Sequence, residues 1–422
     1  MRKNNEPIVP AKNLADAFNA VLSDLEDRTL FDAYYVNRIR TPFNEIKTRI
    51  ELSQFPIKII FAGQHKSGIT TEFFHLIKEI EDKVFPVYYS VFRDMEPADL
   101  KYQDLLLLAA LKLSEVTIKA KVKIDKHLTK LLSDWFSQVS GEVLETKIKE
   151  KTKNLSVGAK LKYLIGELGA GFKTDATVRT EVRKKLEPSV GDIIEKIDFL
   201  TATIKNHTGK EPLLIIDDLE KIDPEIAEEI FYGHSQTLGR PNLKIIFTFP
   251  LCLTYTDKGR LVANQLSTPI HLPNIMTSVR ECEPNEPDLN LLRQIILKRM
   301  EESLFEPDAL NFLLKTSNGV LGDLRAILAG ACITALSDGR SKITWNDVDI
   351  HFKLLSDQFR RAIKESYYPT LAQVYKEKVA NNDQNLWDML QILAILEYRD
   401  EKGIFYVIHP AVIPLLKEKG LI

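Results

Sequence analysis

The stretch Leu213-Leu214-Ile215-Ile216-Asp217-Asp218-Leu219-Glu220 sets four apolar residues directly ahead of a cluster of acids. An uninterrupted apolar run of this length suits a strand buried on both faces, as in the interior of a parallel sheet. A carboxylate at the tip of such a strand can hold Mg2+ through its water shell, and a second can orient an attacking water. This reading gives Asp217 to the metal and Asp218 to water activation, with Glu220 as a substitute. The plainer alternative is a cluster capping the next helix. Asp223-Pro224 already supplies that cap, an aspartate followed by a first-turn proline.

Four further runs of the same kind flank this one: Ile57–Ala62, Val87–Phe92, Leu243–Phe249 and Thr268–Leu272. Helix-period segments separate them. Thr70–Ile80 places Phe73, Phe74, Ile77 and Ile80 on one face, and Pro224–Phe231 follows the acidic run. Strands alternating with helices predict an α/β domain built on a parallel sheet.

The first run leads into Gly63-Gln64-His65-Lys66-Ser67-Gly68-Ile69-Thr70-Thr71, where a helix begins. A strand, a glycine-bounded loop and a helix N-terminus form an anion site, because backbone N–H groups converge there and the helix dipole favours phosphate. The pattern G-x-x-x-x-G-K-[ST] is met at Gly63, Gly68 and Thr70, but Ile69 stands at the lysine position. Lys66 lies within the loop, either swung inward as a replacement or exposed to solvent.

The chain has 422 residues, 44% of them hydrophobic and 27% charged, which excludes a mostly disordered polypeptide and predicts two or three domains. Lys+Arg 57 against Asp+Glu 59 leaves a formal charge of −2, so global charge does not mark a nucleic-acid binder. Cys252, Cys282 and Cys332 offer neither a disulfide scaffold nor a CxxC metal site. Leu105–Leu113 is too short to span a bilayer, and the N-terminus has no apolar signal core. A reduced, soluble, cytoplasmic protein is therefore expected, with no membrane partner. Between Thr117 and Tyr163 there are eleven Lys, no Arg and five Asp/Glu. We read this region as a basic, mainly helical insertion, with a hairpin or loop near Gly166–Thr174. Beyond the polar linker Glu281–Pro287, helical patterns at Leu289–Leu304, Pro307–Thr316, Gly322–Leu336 and Trp345–Leu355 predict a lid. After Ser366–Thr370, helices at Leu371–Val379 and Leu386–Leu396 precede a hairpin pairing Leu396–Arg399 with Ile404–Ile408, the pattern of a winged helix.

Taken together, GQHKSGITTEF (Gly63–Phe73), LLIIDDLEKIDPE (Leu213–Glu225), IIFTFP (Ile245–Pro250) and SNGVLGDLRAIL (Ser317–Leu328) resemble AAA+-type P-loop ATPases. The resemblance is greatest to the origin-recognition-like and STAND-like proteins with a lid and a C-terminal winged helix. It runs from about Tyr34 to the C-terminus, most loosely in the insertion. It implies a five-stranded sheet in the order 5-1-4-3-2, a P-loop domain over 34–280 with the insertion at 117–190, a lid over 281–366 and a winged helix over 367–422. Residues 1–33 form a preceding helical segment. ATP or ADP with Mg2+ would sit on Gly63, Lys66, Ser67, Gly68, Ile69, Thr70 and Thr71, with Thr70 and Asp217 serving the metal and Tyr35 and Val36 lining the adenine pocket. Thr248 would be the first sensor, Arg325 the second, and Arg260 an arginine finger for a neighbouring subunit. Self-assembly or a partner effector protein is implied.

The isoleucine at position 69 predicts weak hydrolysis, since it removes charge from where the transferring phosphoryl group accumulates it. The expected function is a nucleotide-responsive regulatory or assembly module in a prokaryotic antiviral-defence or signalling system. No HExxH, GxSxG or HxE…CxxC pattern provides an effector activity of its own. The alternative is a DNA-binding protein, with the winged helix in a groove and Lys119–Lys162 on phosphates. The apolar, acidic character of Leu386–Leu396 argues against it. A third reading is an active ATPase that uses Lys66.

Overall fold

Strands without polar alternation need cover on both faces, and the computed structural model provides it with helices. It describes residues 8–422 except 121, 123–125, 143, 145–150, 154 and 282. Five strands, β1 (Lys58–Gly63), β2 (Val84–Ser90), β3 (Glu211–Asp217), β4 (Lys244–Pro250) and β5 (Ile270–Leu272), form one parallel sheet in the order β2-β3-β4-β1-β5. Read from the other edge, this is the 5-1-4-3-2 order that the family resemblance implies. All of β1 and β4 is buried, and β3 is buried after Glu211. The register sets Tyr88 beside Ile215 and Ser90 beside Asp217.

The second strand differs from the expected Val87–Phe92. It starts at Val84 and ends at Ser90, whose side chain accepts a hydrogen bond from the Arg93 N–H at 3.1 Å and so caps a short helix, Val91–Asp94. The hairpin or loop expected at Gly166–Thr174 is absent. A helix runs unbroken from Val157 to Thr174 and buries Leu161, Leu164, Ile165, Leu168 and Phe172. Apolar residues at helical spacing outweigh the cost of about 1 kcal/mol for each interior glycine. Further helices between β2 and β3 span Tyr102–Lys119, Lys126–Val139, Ala176–Leu186 and Val190–Thr208. Arg183 ties two of them together by donating to the buried Asp104. Several of the insertion lysines lie outside the described residues, as do Cys282 and the start of the N-terminal segment. Cys252 and Cys332 are free thiols and buried.

The chain separates into two compact units. One comprises Met1–Phe43, Gly63–Leu76 and His271–Ile422; the other comprises Asn44–Ala62 and Ile77–Ile270. The first contains the phosphate loop, the lid helices Glu286–Leu297, Ala309–Ser317, Leu321–Ser337 and Trp345–Ala362, and the C-terminal module. That module has helices Tyr368–Glu377, Gln384–Gln391 and Ile413–Glu418 around an antiparallel wing of β6 (Ile395–Asp400) and β7 (Gly403–Ile408). The helix expected to reach Leu396 stops at Gln391, because Leu393 takes a left-handed φ of 63° and the chain then enters β6. No described helix is long and apolar enough to cross a membrane.

Candidate functional site

The phosphate loop leaves β1 at Gly63 and enters the helix Ile69–Ile80. Its turn is made by Lys66 and Gly68, both with positive φ (63° and 95°). Ile69 is buried and packs back on the strand: a Cβ on Gly63 would come within 3.0 Å of its Cδ1. Position 69 therefore plugs the base of the loop.

Lys66 is turned toward the lid. Its Nζ donates to Asp323 Oδ1 at 2.8 Å, and its carbonyl accepts from the Gly322 N–H at 2.9 Å. Only a glycine permits this approach, because a Cβ at 322 would lie 2.7 Å from the Cβ of Lys66. Asp323 is 2% exposed and also faces His409 of the C-terminal module, whose Nε2 lies 3.2 Å from Oδ2. His409 Nδ1 accepts from the Ala411 N–H, which leaves the imidazole proton on Nε2, toward the carboxylate. Burial pushes the Asp323 carboxyl up, but His409 and Lys66 outweigh it and hold it below the usual carboxylate range.

Gln64 is bound in the same direction. Its amide donates to the Leu390 and Ile395 carbonyls at 3.2 and 2.9 Å, and its oxygen accepts from the Glu397 N–H at 2.9 Å and from Asn274. On another side of the loop, Arg38 donates to the Ser67 and Pro273 carbonyls at 3.1 and 2.9 Å. Glu72, in the first turn of the helix, accepts from Tyr35 Oη. Burial raises its carboxyl to about 7 against the pull of Arg38. Tyr35 stacks between Phe31 and His75, with ring centroids 4.6 and 4.7 Å away.

The acidic tip of β3 has a different set of partners. Asp217 accepts from the Asp218 N–H at 2.8 Å and from Tyr88 Oη at 2.7 Å. Burial and the Asp217 charge push the Tyr88 phenol well upward. Asp218 takes a left-handed φ of 70° and accepts from both Ser90 and Lys221. Glu220 is buried; burial and then the charge of Asp217 hold its carboxyl far above the ordinary range, and its Oε2 has no hydrogen-bond partner among the described residues. Carboxylate oxygens of Asp217, Asp218 and Glu220 lie within 4.8 Å of one another, an all-oxygen donor set that fits Mg2+. Thr248 braces this tip by accepting from the Leu219 N–H at 2.8 Å and donating to the Ile216 carbonyl. Asp223 caps the next helix through the Glu225 N–H.

Arg325 is exposed and donates to the Leu22 carbonyl at 2.6 Å. It lies two residues beyond Asp323, roughly 200° around the helix, so the lid helix presents Asp323 and not Arg325 to the loop. Arg260 is exposed on the helix Asp257–Gln265, and Val36, Thr70 and Thr71 are half-buried. Sequence reasoning missed Arg38, Gln64, Glu72, Asp323 and His409. Gln64, Glu72 and Asp323 carried a signal, as members of the quoted Gly63–Phe73 and Ser317–Leu328 segments, whereas Arg38 and His409 carried none.

The sheet order, the lid and the wing make the fold AAA+-like. No protein-family model and no curated protein sequence matches the chain. Solved structures similar in fold include Cdc6p from Pyrobaculum aerophilum, at 12% identity over 93% of this chain and 98% of that one, TM-score 0.41. A second is the Aeropyrum pernix ORC1 protein in complex with DNA, at 10% identity over 96% and 95%, TM-score 0.45. A third is the Thermotoga maritima RuvB Holliday junction branch migration motor, at 11% identity over 90% and 91%, TM-score 0.36.

Proposed function

We propose that this chain is a nucleotide-responsive regulatory module. ATP or ADP with Mg2+ binds at the phosphate loop, and occupancy decides whether the lid and C-terminal module keep their hold on that loop. A partner protein, or a second copy of the chain, reads the outcome, as in a prokaryotic defence or signalling assembly. One observation carries the reading: two side chains of the loop, Gln64 and Lys66, end on the C-terminal module and the lid respectively. A phosphate arriving in the loop competes for the same few residues, so binding and release are linked.

The chain's own groups divide the work. The loop N–H groups and the dipole of the helix Ile69–Ile80 bind phosphate. Mg2+ is assigned to Asp217 and supplies charge neutralisation when bound. Hydrolysis is slow on this reading, for Ile69 brings no charge, Lys66 faces Asp323, and Asp218 is already paired with Lys221. Arg260 is the residue offered to a neighbouring subunit. The helix Gln384–Gln391 buries Leu386, Met389 and Leu390, which favours packing over a place in a DNA groove.

Backbone hydrogen exchange with and without ATP·Mg2+ or ADP tests this. Nucleotide should raise the melting temperature and change exchange at Ile395–Glu397 and Ala411. If neither moves, the proposal fails.

A further inference from the structure

We propose that Arg38 is a positioning residue for phosphate, acting from behind the loop in place of the lysine that Ile69 displaces. The inference rests on the nucleotide reading above and names the cation that serves it. Of the cations near the loop, Lys66 is turned to Asp323, whereas Arg38 is 8% exposed and reaches the loop backbone directly.

The geometry runs through one peptide. Arg38 Nη1 donates to the Ser67 carbonyl. In a planar trans peptide the carbonyl and the following N–H point in opposite directions. Fixing the Ser67 oxygen on Arg38 therefore fixes the Gly68 N–H away from Arg38, on the other face of the loop. Gly68 has a φ of 95°, which side chains other than hydrogen rarely adopt, so this orientation belongs to the loop's own design. A guanidinium on the carbonyl also polarises the peptide and strengthens its N–H as a donor. The second Arg38 nitrogen holds the Pro273 carbonyl, which anchors the group from both sides.

Two further atoms point to a ligand. Ser67 is 1% exposed, yet its Oγ has no hydrogen-bond partner among the described residues, and neither has Arg38 Nε. Buried polar atoms normally find partners, so an unsatisfied hydroxyl on the very peptide that Arg38 holds marks a place for an acceptor. The ligand class is an oxyanion of the polyphosphate type.

Isothermal calorimetry on the full chain, with inorganic tripolyphosphate and with ATP·Mg2+, tests the assignment. Arg38→Gln should weaken both by about tenfold or more, Arg38→Lys should recover part of the loss, and Ser67→Ala should weaken tripolyphosphate several-fold. Melting temperatures without ligand control for folding. A purely structural arginine would lower them while leaving the affinity of the folded fraction intact, and that result overturns the proposal. If Arg38→Gln does not fold, Ser67→Ala decides, and parental affinity in it overturns the proposal. A parent that binds tripolyphosphate in an Arg38-dependent way, but ATP no better, keeps the anion site and removes the nucleotide reading. A parent that binds ATP with no dependence on Arg38 does the reverse. Binding of neither ligand overturns both.

Discussion

At the phosphate loop and at the tip of β3, the groups that chemistry would need already have protein partners, but the partners come from different places. The tip is held by its own sheet. Tyr88 and Ser90 reach Asp217 and Asp218 from β2, the strand in register with β3, and Lys221 follows three residues after Asp218. The loop is held by parts that the chain supplies much later: Asp323 lies 257 residues after Lys66, and Ile395 lies 331 residues after Gln64. Register in a buried parallel sheet leaves no alternative pairing without moving every side chain. A lid or a terminal module can be displaced by breaking a few polar contacts. On the proposed function, the tip is the fixed part and the loop the switchable one.

The largest effect should come from removing the charge on which the loop contacts converge. Asp323→Ala leaves His409 buried without its carboxylate and Lys66 without a partner. Losing two hydrogen bonds to a charged carboxylate, at roughly 1.5–3 kcal/mol each, costs about 3–5 kcal/mol. Urea denaturation should show a loss in that range, together with faster hydrogen exchange around His409. A loss below about 1 kcal/mol would break the contrast, because the loop would then not depend on the lid.

Glu72 offers a test through pH. Its folded carboxyl titrates near 7 against an ordinary 4.5, so the folded state holds its proton more tightly than the unfolded state does. Stability from this group is therefore full below about pH 4.5, falls as pH rises to 7 and is level above. The expected change is about 3 kcal/mol across that window. Glu72→Gln should flatten this part of the stability–pH curve and leave the Asp217 half of the molecule unaffected. An unchanged slope would remove Glu72 from the account of the loop.

Much of this was legible from residues alone, and the limits have physical causes. Uninterrupted apolar runs located the strands, since burial on both faces leaves no polar alternation to confuse the reading. Asp217, Asp218 and the glycines of the loop were visible because each motif is contiguous. Their partners were not. Which residue of β2 faces Asp217 depends on a register that neither strand encodes by itself, and nothing near His409 announces that it meets Asp323. The unbroken helix Val157–Thr174 is the opposite case, in which a local glycine signal was loud and packing overruled it.

At the tip, Tyr88→Phe removes one hydroxyl from a buried carboxylate and should cost about 2 kcal/mol, the scale of a hydrogen bond to a charged group. Because the register keeps Asp217 in place, the variant should bind Mn2+ at least as tightly as the parent, measured by paramagnetic broadening. Weaker binding would mean that the phenol orients the acid, and the tip would then be less rigid than the sheet suggests.

The smallest expected effect is the most discriminating. Lys66 is the other partner of Asp323, yet its side chain is 43% exposed while that of Asp323 is 2% exposed. Solvent screens an ion pair whose cation reaches water, so Lys66→Ala should cost less than about 1 kcal/mol even though it ends on the same carboxylate. His409 Nε2 still faces Asp323, so the buried carboxylate keeps a hydrogen-bond donor. The asymmetry between Asp323→Ala and Lys66→Ala is therefore a property of burial rather than of the pair. The same variant separates the two uses of this lysine. If Lys66 served phosphoryl transfer in place of the residue at 69, Lys66→Ala would abolish whatever hydrolysis the parent shows. If it serves as the loop's tether to the lid, hydrolysis stays at the parental level, and ATP·Mg2+ binds slightly more tightly because one competitor for the closed loop has gone. Steady-state hydrolysis and calorimetric affinity, measured side by side, distinguish a catalytic lysine from a tether.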